Sequence, residues 1–185
     1  AAETMRASTG GEVVPVAADL TDPAGPVRVV EAVRRAFGDP EIVVTNAGGP
    51  PAMPAVDATA RDLLAATELL LLPVQRFLEL CLPAMRRSGW GRLVAITSIA
   101  VREPQPGLVL SNALRAGLTG YLKSVADEVA SDGVTVNSVL PGYTATDRLA
   151  VLAATTAEAA ATTPEEVMKA WATATPASAS ACITA

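Results

Sequence analysis

The stretch that decides the fold is Glu41-Ile42-Val43-Val44-Thr45, which runs directly into Asn46-Ala47-Gly48-Gly49-Pro50-Pro51. A short run rich in β-branched residues is typical of a buried strand, and glycine and proline immediately after it indicate a loop. Three further segments are predicted to form apolar strands, and these are Glu12 to Ala18, Arg92 to Thr97 and Val134 to Val139.

Helical patterns alternate with these strands. Val27 to Phe37 has apolar residues at helical spacing, and long helices are predicted over Arg61 to Arg87, where Pro73 would introduce a kink, and over Ser111 to Ser131. The alternation predicts a doubly wound parallel sheet in a three-layer α/β/α arrangement, which is a Rossmann-like fold. Ligands of such sheets bind at the carboxyl ends of the strands, so the loops that follow the four predicted strands should converge on one crevice.

The composition narrows the classes of function. The chain has 185 residues, half of them hydrophobic, with a net charge of −5 and no histidine, and this fits a single packed domain over residues 1–185. The negative charge gives no electrostatic support for a nucleic-acid or acidic-membrane partner. The lack of histidine excludes histidine-based catalysis and most catalytic zinc sites, and no metal site is predicted.

The longest apolar stretch and the cysteines bear on the cellular location. Leu69 to Val74 is far shorter than the roughly 20 residues that span a bilayer, and no apolar signal core is evident. Cys81 and Cys182 form no paired motif. Cys81 is expected to be a buried thiol, with a disulfide or a reactive thiol as the alternatives. Together these features predict a soluble cytoplasmic protein.

Four segments at predicted strand ends together resemble the classical short-chain dehydrogenase/reductase family, especially its 3-oxoacyl-acyl-carrier-protein reductase-like branch. They are Asp19-Leu20, Thr45-Asn46-Ala47-Gly48-Gly49, Ile96-Thr97-Ser98 and Val136-Asn137-Ser138-Val139-Leu140-Pro141-Gly142. The resemblance extends from about Gly11 to Asp147. It implies an oxidoreductase that uses NADP or NAD, and that reduces a ketone or 3-oxoacyl-type carbonyl or oxidises the matching alcohol.

The resemblance also implies cofactor-binding residues. Asp19 and Leu20 match the segment that meets adenine, where the carboxylate accepts a hydrogen bond from the amino group; a helix-entry cap is the alternative for Asp19. The remaining matches are Asn46, Ala47 and Gly48 beside the ribose, Pro141 and Gly142 against the nicotinamide, and Thr144 and Thr146 near its carboxamide or the pyrophosphate. A structural turn is an equal alternative for Asn46, and solvated loop hydroxyls are the alternative for the two threonines.

The catalytic positions depart from the family pattern, in which a tyrosine donates the proton, a lysine four residues later lowers its pKa, and a serine polarises the carbonyl. Ser98 matches that serine, but Ser111 stands at the tyrosine position and Arg115 at the lysine position. Leu70 occupies the position of an asparagine that anchors a relay water. The segment resembles a divergent branch with Ser-x-x-x-Arg.

In this interpretation Ser98 polarises the carbonyl, Arg115 holds the ribose, and Ser111 or a water relays the proton. The alternatives are a strand-end turn hydroxyl for Ser98, a helix N-cap for Ser111, and a surface or ion-paired side chain for Arg115. Loss of three of four catalytic groups leaves a second hypothesis open, a catalytically silent relative that binds a nucleotide or a partner.

The resemblance also predicts an incomplete domain. The family's first strand, glycine-rich turn, helix and second strand have no counterpart before the segment Gly10-Gly11, and residues 149–185 are expected to form a mobile lid and tail in which the Ala/Thr/Ser-rich parts are either weak helix or mobile. The two long helices match those that pair subunits in this family, which implies a homodimer or homotetramer.

Overall fold

The computed structural model describes residues 2–144 and 146–174. Its helices are α1 (Ala2–Thr9), α2 (Ala24–Phe37), α3 (Ala60–Leu70), α4 (Leu72–Ser88), α5 (Val109–Val129), α6 (Asp147–Ala160) and α7 (Pro164–Ala174), and its strands are β1 (Ile42–Thr45), β2 (Gly91–Ile96) and β3 (Val134–Val139). The strands form a parallel sheet in the order β1-β2-β3. The predicted α/β class, with a Rossmann-like parallel sheet and flanking helices, is confirmed.

The main core lies between one face of the sheet and helices α4 and α5. Val43, Leu93 and Val136 are in register across the three strands, and this face packs against Val74 and Leu78 of α4 and against Leu118 and Leu122 of α5. The side chains of Val44 and its register partner Val94 point to the opposite face, because neighbouring strand residues alternate. Val44 is 61% exposed.

The predicted strand over Glu12 to Ala18 is wrong. The segment forms no strand in the part of the chain that the structure describes, and most of its side chains are exposed or half-buried. A strand needs a neighbour to accept and donate its backbone hydrogen bonds. No described strand pairs with this segment, and Pro15 within it has no N–H to donate to a ladder.

The long helix predicted over Arg61 to Arg87 is two helices, which meet at Leu71. Thr59 caps α3 in a capping box with Asp62, whose pKa lies below its ordinary value because of the hydrogen bond from the Thr59 hydroxyl. Pro73 stands in the first turn of α4, where its missing N–H has no partner to lose. The proline therefore starts a helix and does not kink one.

Helices α6 and α7 form a pair with a small core of its own. Ala153, Ala157 and Val167 are buried there, and Trp171 packs against them. Of the two alternatives for the Ala/Thr/Ser-rich segments, helix is therefore the outcome over most of residues 149–174. The rest of the predicted lid and tail, including Cys182, lies outside the described residues. No helix in the described ranges is long and apolar enough to cross a membrane.

Gly133 lies where two turns nearly touch. Its φ is +74°, and a Cβ there would lie 2.0 Å from the carbonyl oxygen of Gly89. We expect Gly133→Ala to destabilise the fold by about 3 kcal/mol or more, because backbone strain and a backbone clash add. Gly89 is the matched control, since its φ of +70° and ψ of +17° lie in the same left-handed region as those of Gly133 and nothing lies within 4 Å of a Cβ there. Gly89→Ala should cost only about 1 kcal/mol in urea unfolding, and equal costs would contradict the clash.

Cys81 is a free thiol of α4, buried in a second core cluster with Val30, Met85, Val129 and Val134. Burial raises its pKa from 9.0 to about 11, so a thiol reagent at pH 8 should modify it only after unfolding. The neutral thiol should favour the folded state fully below pH 9, and this contribution should be lost as the pH rises towards 11. The measurement is thiol titration of a Cys182→Ser variant with and without denaturant, and fast reaction of the native protein would contradict the burial.

Candidate active site at the strand ends

The loops after β2 and β3 are fastened side by side. The backbone N–H and the hydroxyl of Thr97 both donate to the carbonyl of Val139, at 2.8 and 3.0 Å. The N–H of Ile99 donates to the carbonyl of Pro141 at 2.9 Å. Ser98 therefore lies beside Pro141 at the edge of the sheet where parallel strands end, as the sequence predicts.

Arg115 is the centre of this edge. Its side chain is buried, with 9% of the residue exposed, and one guanidinium nitrogen donates to the carbonyls of Ile96 and Thr97, both at 3.1 Å. The other terminal nitrogen donates to the carbonyl of Gly48 at 3.2 Å. The surface alternative for this residue is thus wrong. A buried guanidinium needs such acceptors because removing a charge from water is costly.

The two candidate catalytic serines differ in their surroundings. Ser111 lies inside the first turn of α5, whose N-cap position is Leu108, so the N-cap alternative is wrong. Its oxygen accepts a hydrogen bond from Nε of Arg115 at 3.1 Å. The Ser98 oxygen accepts from the N–H of Ala100 at 3.1 Å and caps a short 3-10 turn. In both residues the hydroxyl proton remains available as a donor.

Hydrogen bonds within the loop and from a side chain of α4 hold the loop that contains Asp19 and Leu20. The Asp19 carboxylate accepts hydrogen bonds from the hydroxyl and the N–H of Thr21, which lower its pKa below the ordinary value. A guanidinium nitrogen of Arg76 contacts the carbonyls of Leu20 and Thr21 at 3.4 and 3.3 Å. The N-cap position of α2 is Pro23, so Asp19 does not cap this helix, and the contact of Asp19 with adenine stays a prediction.

A cavity of about 240 Å³ joins the predicted adenine and ribose positions. This is less than the roughly 300 Å³ of a typical small-molecule pocket, so it suits one part of a large ligand. Leu20 and Ala47 are half-buried at its wall, while Asn46 is exposed. The cavity is lined by Leu20, Asn46 and Ala47 together with Thr45 and apolar side chains that include Val44 and Phe77.

The loop after β3 contains the remaining predicted residues. Gly142 is exposed and Thr144 is half-buried. Thr146 is the N-cap of α6, and its hydroxyl oxygen accepts a hydrogen bond from the N–H of Leu149. Thr146 thus caps a helix, whereas the alternative was a loop hydroxyl that contacts only solvent. Its contact with a cofactor stays a prediction.

Sequence reasoning missed a second set of contacts across the site. The Tyr143 hydroxyl donates to the side-chain oxygen of Gln105 at 2.9 Å, and its ring stacks on Trp171. The Asn112 side chain fixes the backbone of Gln105. The sequence does contain a signal for these residues, because Tyr143 directly follows the Pro141-Gly142 motif and Asn112 directly follows Ser111. Among the described residues, no group of three or more His, Cys, Asp or Glu could hold a metal ion.

The family model described as short chain dehydrogenase matches residues 1–157. The chain belongs to the short-chain dehydrogenase family. Within this family it is 37% identical over 132 residues to the 3-oxoacyl-[acyl-carrier-protein] reductase FabG of Escherichia coli, an alignment that covers 70% of this chain and 53% of FabG. The chain therefore spans about half the length of the curated relatives it matches.

Solved structures of two oxidoreductases superpose on this chain. The L-sorbose reductase of Gluconobacter frateurii, complexed with NADPH and L-sorbose, gives a TM-score of 0.78 at 30% identity, over 85% of this chain and 60% of the reductase. The sorbitol-6-phosphate 2-dehydrogenase SrlD of Erwinia amylovora gives 0.86 at 25% identity, over 95% and 70% of the two chains. The predicted family and its 3-oxoacyl reductase-like branch are confirmed by these matches.

The contacts of Arg115 generate a stability prediction. Arg115→Lys keeps a charge but replaces the planar fork by a point-like ammonium that cannot serve Gly48, Ile96, Thr97 and Ser111 together. We expect a loss of about 2 kcal/mol in the free energy of unfolding, because hydrogen bonds of a buried charged group are broken. Arg61→Lys, at an exposed position, is the control and should change stability by less than about 0.5 kcal/mol. Equal effects in denaturant titrations would contradict the role of Arg115.

Proposed function

We propose that this chain is the greater part of an NADP- or NAD-dependent oxidoreductase domain that reduces a ketone or 3-oxoacyl-type carbonyl, or oxidises the matching alcohol. The observation that carries the proposal is the hydrogen bond from buried Arg115 to the Ser111 hydroxyl, at the same sheet edge as Ser98. A buried cation beside a hydroxyl is an arrangement that favours proton transfer, and a solvated surface serine has no need of it. FabG and the NADPH-bound L-sorbose reductase support the reaction class.

The described residues fit parts of a nicotinamide dinucleotide. The cavity at Leu20, Asn46 and Ala47 has an apolar wall and a size suited to a planar base or a sugar. At Gly48 no atom lies within 4 Å of an added Cβ, so the loop leaves room for a ligand to approach its backbone. Asp19 would accept a hydrogen bond from the base, and the segment from Pro141 to Thr146 would face the nicotinamide. A bound reduced nicotinamide supplies the hydride for a two-electron reduction.

The protein's own groups would act on the carbonyl oxygen. The hydroxyl of Ser98 donates a hydrogen bond to that oxygen and stabilises the negative charge that develops on it. The proton that completes the alcohol passes through the Ser111 hydroxyl, directly or by a bridging water, and water then returns a proton to the serine. Serine is a weaker acid than a phenol, and the Arg115 guanidinium offsets part of this difference by stabilising negative charge on the Ser111 oxygen.

Arg115 has two proposed roles. Its contacts with Gly48, Ile96 and Thr97 support a positioning role, since one side chain fixes the loops that contain Ser98 and the candidate ribose segment. The contact with ribose hydroxyls, which the family resemblance implies, stays a second proposal for the same residue.

A catalytically silent, nucleotide-binding member of the family is the second candidate. The observation in its favour is Leu70, which is 2% exposed and brings no polar group to the position where the family anchors a relay water. Without that water, Ser111 would be the one group of the proposed mechanism left to supply a proton to the carbonyl oxygen.

Self-association is proposed through α4 and α5. A groove between them is lined by the apolar residues Leu78, Leu82, Pro83 and Val125 and by Tyr121, together with Gln75, Glu79 and Arg86. A face of mixed apolar and polar residues on long helices suits an isologous dimer, because interfaces have an apolar centre and a polar rim. Light scattering of the full-length protein at micromolar concentration should give a dimer or tetramer, and a monomer would reject this part of the proposal.

Cofactor binding and turnover separate the two candidate functions. The full-length protein should bind NADPH or NADH in calorimetry and oxidise it with at least one member of a panel of β-keto esters and simple ketones. Ser98→Ala should lower kcat/KM by about 100-fold, the effect of losing one preorganised donor. Ser111→Ala should lower it by about tenfold, because a water can enter the space and donate. Binding without turnover would support the silent member, and turnover unaffected by Ser98→Ala would reject the assigned role.

The matched variant restores the family pattern at both divergent positions. Ser111→Tyr with Arg115→Lys supplies a phenol and an ammonium one helical turn apart. If Ser111 relays the proton in the natural protein, the double variant should shift the pH dependence of kcat as the donor changes to a phenol. An unchanged pH profile, with activity retained, would show that neither side chain at position 111 handles the proton.

A further inference from the structure

Gln105 is held at every polar atom. Its N–H donates to Oδ1 of Asn112 at 3.3 Å, and its carbonyl accepts from Nδ2 of the same residue at 2.8 Å. Its side-chain nitrogen donates to the carbonyl of Glu103 at 2.9 Å, and its side-chain oxygen accepts from the Tyr143 hydroxyl at 2.9 Å. Residues 102–108, which link Ser98 to the helix of Ser111, are therefore fixed in one arrangement.

Tyr143 connects this segment with the α6–α7 pair. Its ring lies parallel to that of Trp171, with a centroid distance of 4.7 Å and an interplanar angle of 5°. The α6–α7 pair has a core separate from the two buried clusters between the sheet and its helices. The stack of Tyr143 on Trp171 therefore links this pair to the candidate catalytic edge. Tyr143 is itself in the loop after β3, whose carbonyl at Pro141 accepts from the N–H of Ile99, the residue after Ser98.

We propose that Tyr143 is a positioning and specificity-determining residue, which fastens the α6–α7 pair to residues 102–108 and so limits the size of the carbonyl substrate that reaches Ser98. The proposal rests on the proposed function above. The connection runs from the loop after β3 to the segment before Ser111, and both ends of it are anchored. A compact carbonyl compound is accommodated without breaking it, whereas a bulky one must separate Tyr143 from Gln105.

The state of the phenol agrees with a positioning role. Burial, with a smaller contribution from the charge of Glu103, raises the pKa of Tyr143 above its ordinary value. The hydroxyl therefore stays protonated at neutral pH and remains a donor to Gln105. A hydrogen bond of this kind contributes about 1 kcal/mol, and this corresponds to roughly a fivefold change in an equilibrium constant.

The first measurement needs no turnover. In amide hydrogen exchange on the full-length protein, Tyr143→Phe keeps the stacked ring but removes the donor, so exchange within residues 102–108 should become about three- to tenfold faster. Trp171→Leu should accelerate exchange in both residues 102–108 and 147–174. Phe37→Leu is the control, because it changes an exposed aromatic side chain that lies in neither segment, and it should change the exchange of neither segment. Unchanged exchange of 102–108 in both test variants would overturn the coupling.

The second measurement tests specificity. Tyr143→Phe and Trp171→Leu should raise the ratio of kcat/KM for a bulky aryl ketone to that for a compact ketone by about fivefold, through KM and with kcat nearly constant. Trp90→Phe leaves Trp171 as the sole tryptophan, and its fluorescence should change when the bulky ketone binds. An unchanged ratio in an active enzyme would overturn the specificity role. Absence of cofactor binding or turnover in the natural protein would instead overturn the proposed function, and the specificity role with it, while the exchange result still decides the coupling.

Discussion

One buried guanidinium holds together the edge of the sheet at which the candidate site lies. Arg115 donates to backbone carbonyls at the end of β2 and in the glycine-rich loop after β1, and to the hydroxyl of Ser111 one helical turn away. Carbonyls at strand ends and in tight loops otherwise lack partners, and a buried cation otherwise lacks acceptors. The guanidinium gives these carbonyls a donor, and the carbonyls give the buried cation its acceptors. The positions of Ser98, Gly48 and Ser111 therefore depend on the same side chain.

This constraint gives the Ser-x-x-x-Arg pattern a physical meaning. A lysine offers three donors on one nitrogen, whereas an arginine offers five in a plane and can serve several carbonyls in different directions. In the proposed function, the exchange of tyrosine and lysine for Ser111 and Arg115 therefore changes more than the proton donor. The buried charge of Arg115 supports the backbone and one hydroxyl together. A shorter side chain at position 111 also leaves space that a water or a substrate can use.

The parts that local sequence could predict are those that neighbouring residues decide. The β-branched run Ile42–Thr45 and the strands at Leu93 and Val136 follow from short patterns, and so do the helices that pack on them. The segment Glu12 to Ala18 has the same local pattern and yet forms no strand, because a ladder requires a partner that no local pattern supplies. The break between α3 and α4 at Leu71 could not be predicted for a related reason. Pro73 is equally compatible with a kink in one helix and with the start of a second helix.

The sequence by itself determined the α/β class, the family and the positions of Ser98, Ser111 and Arg115, because motif spacing along strands and helices is a property of consecutive residues. Only the tertiary structure decided what these side chains contact. Arg115 meets a carbonyl 67 residues away, and Tyr143 meets Gln105 38 residues away. Such pairs form where parallel strands bring their ends to one edge, and their geometry depends on packing that no single segment specifies.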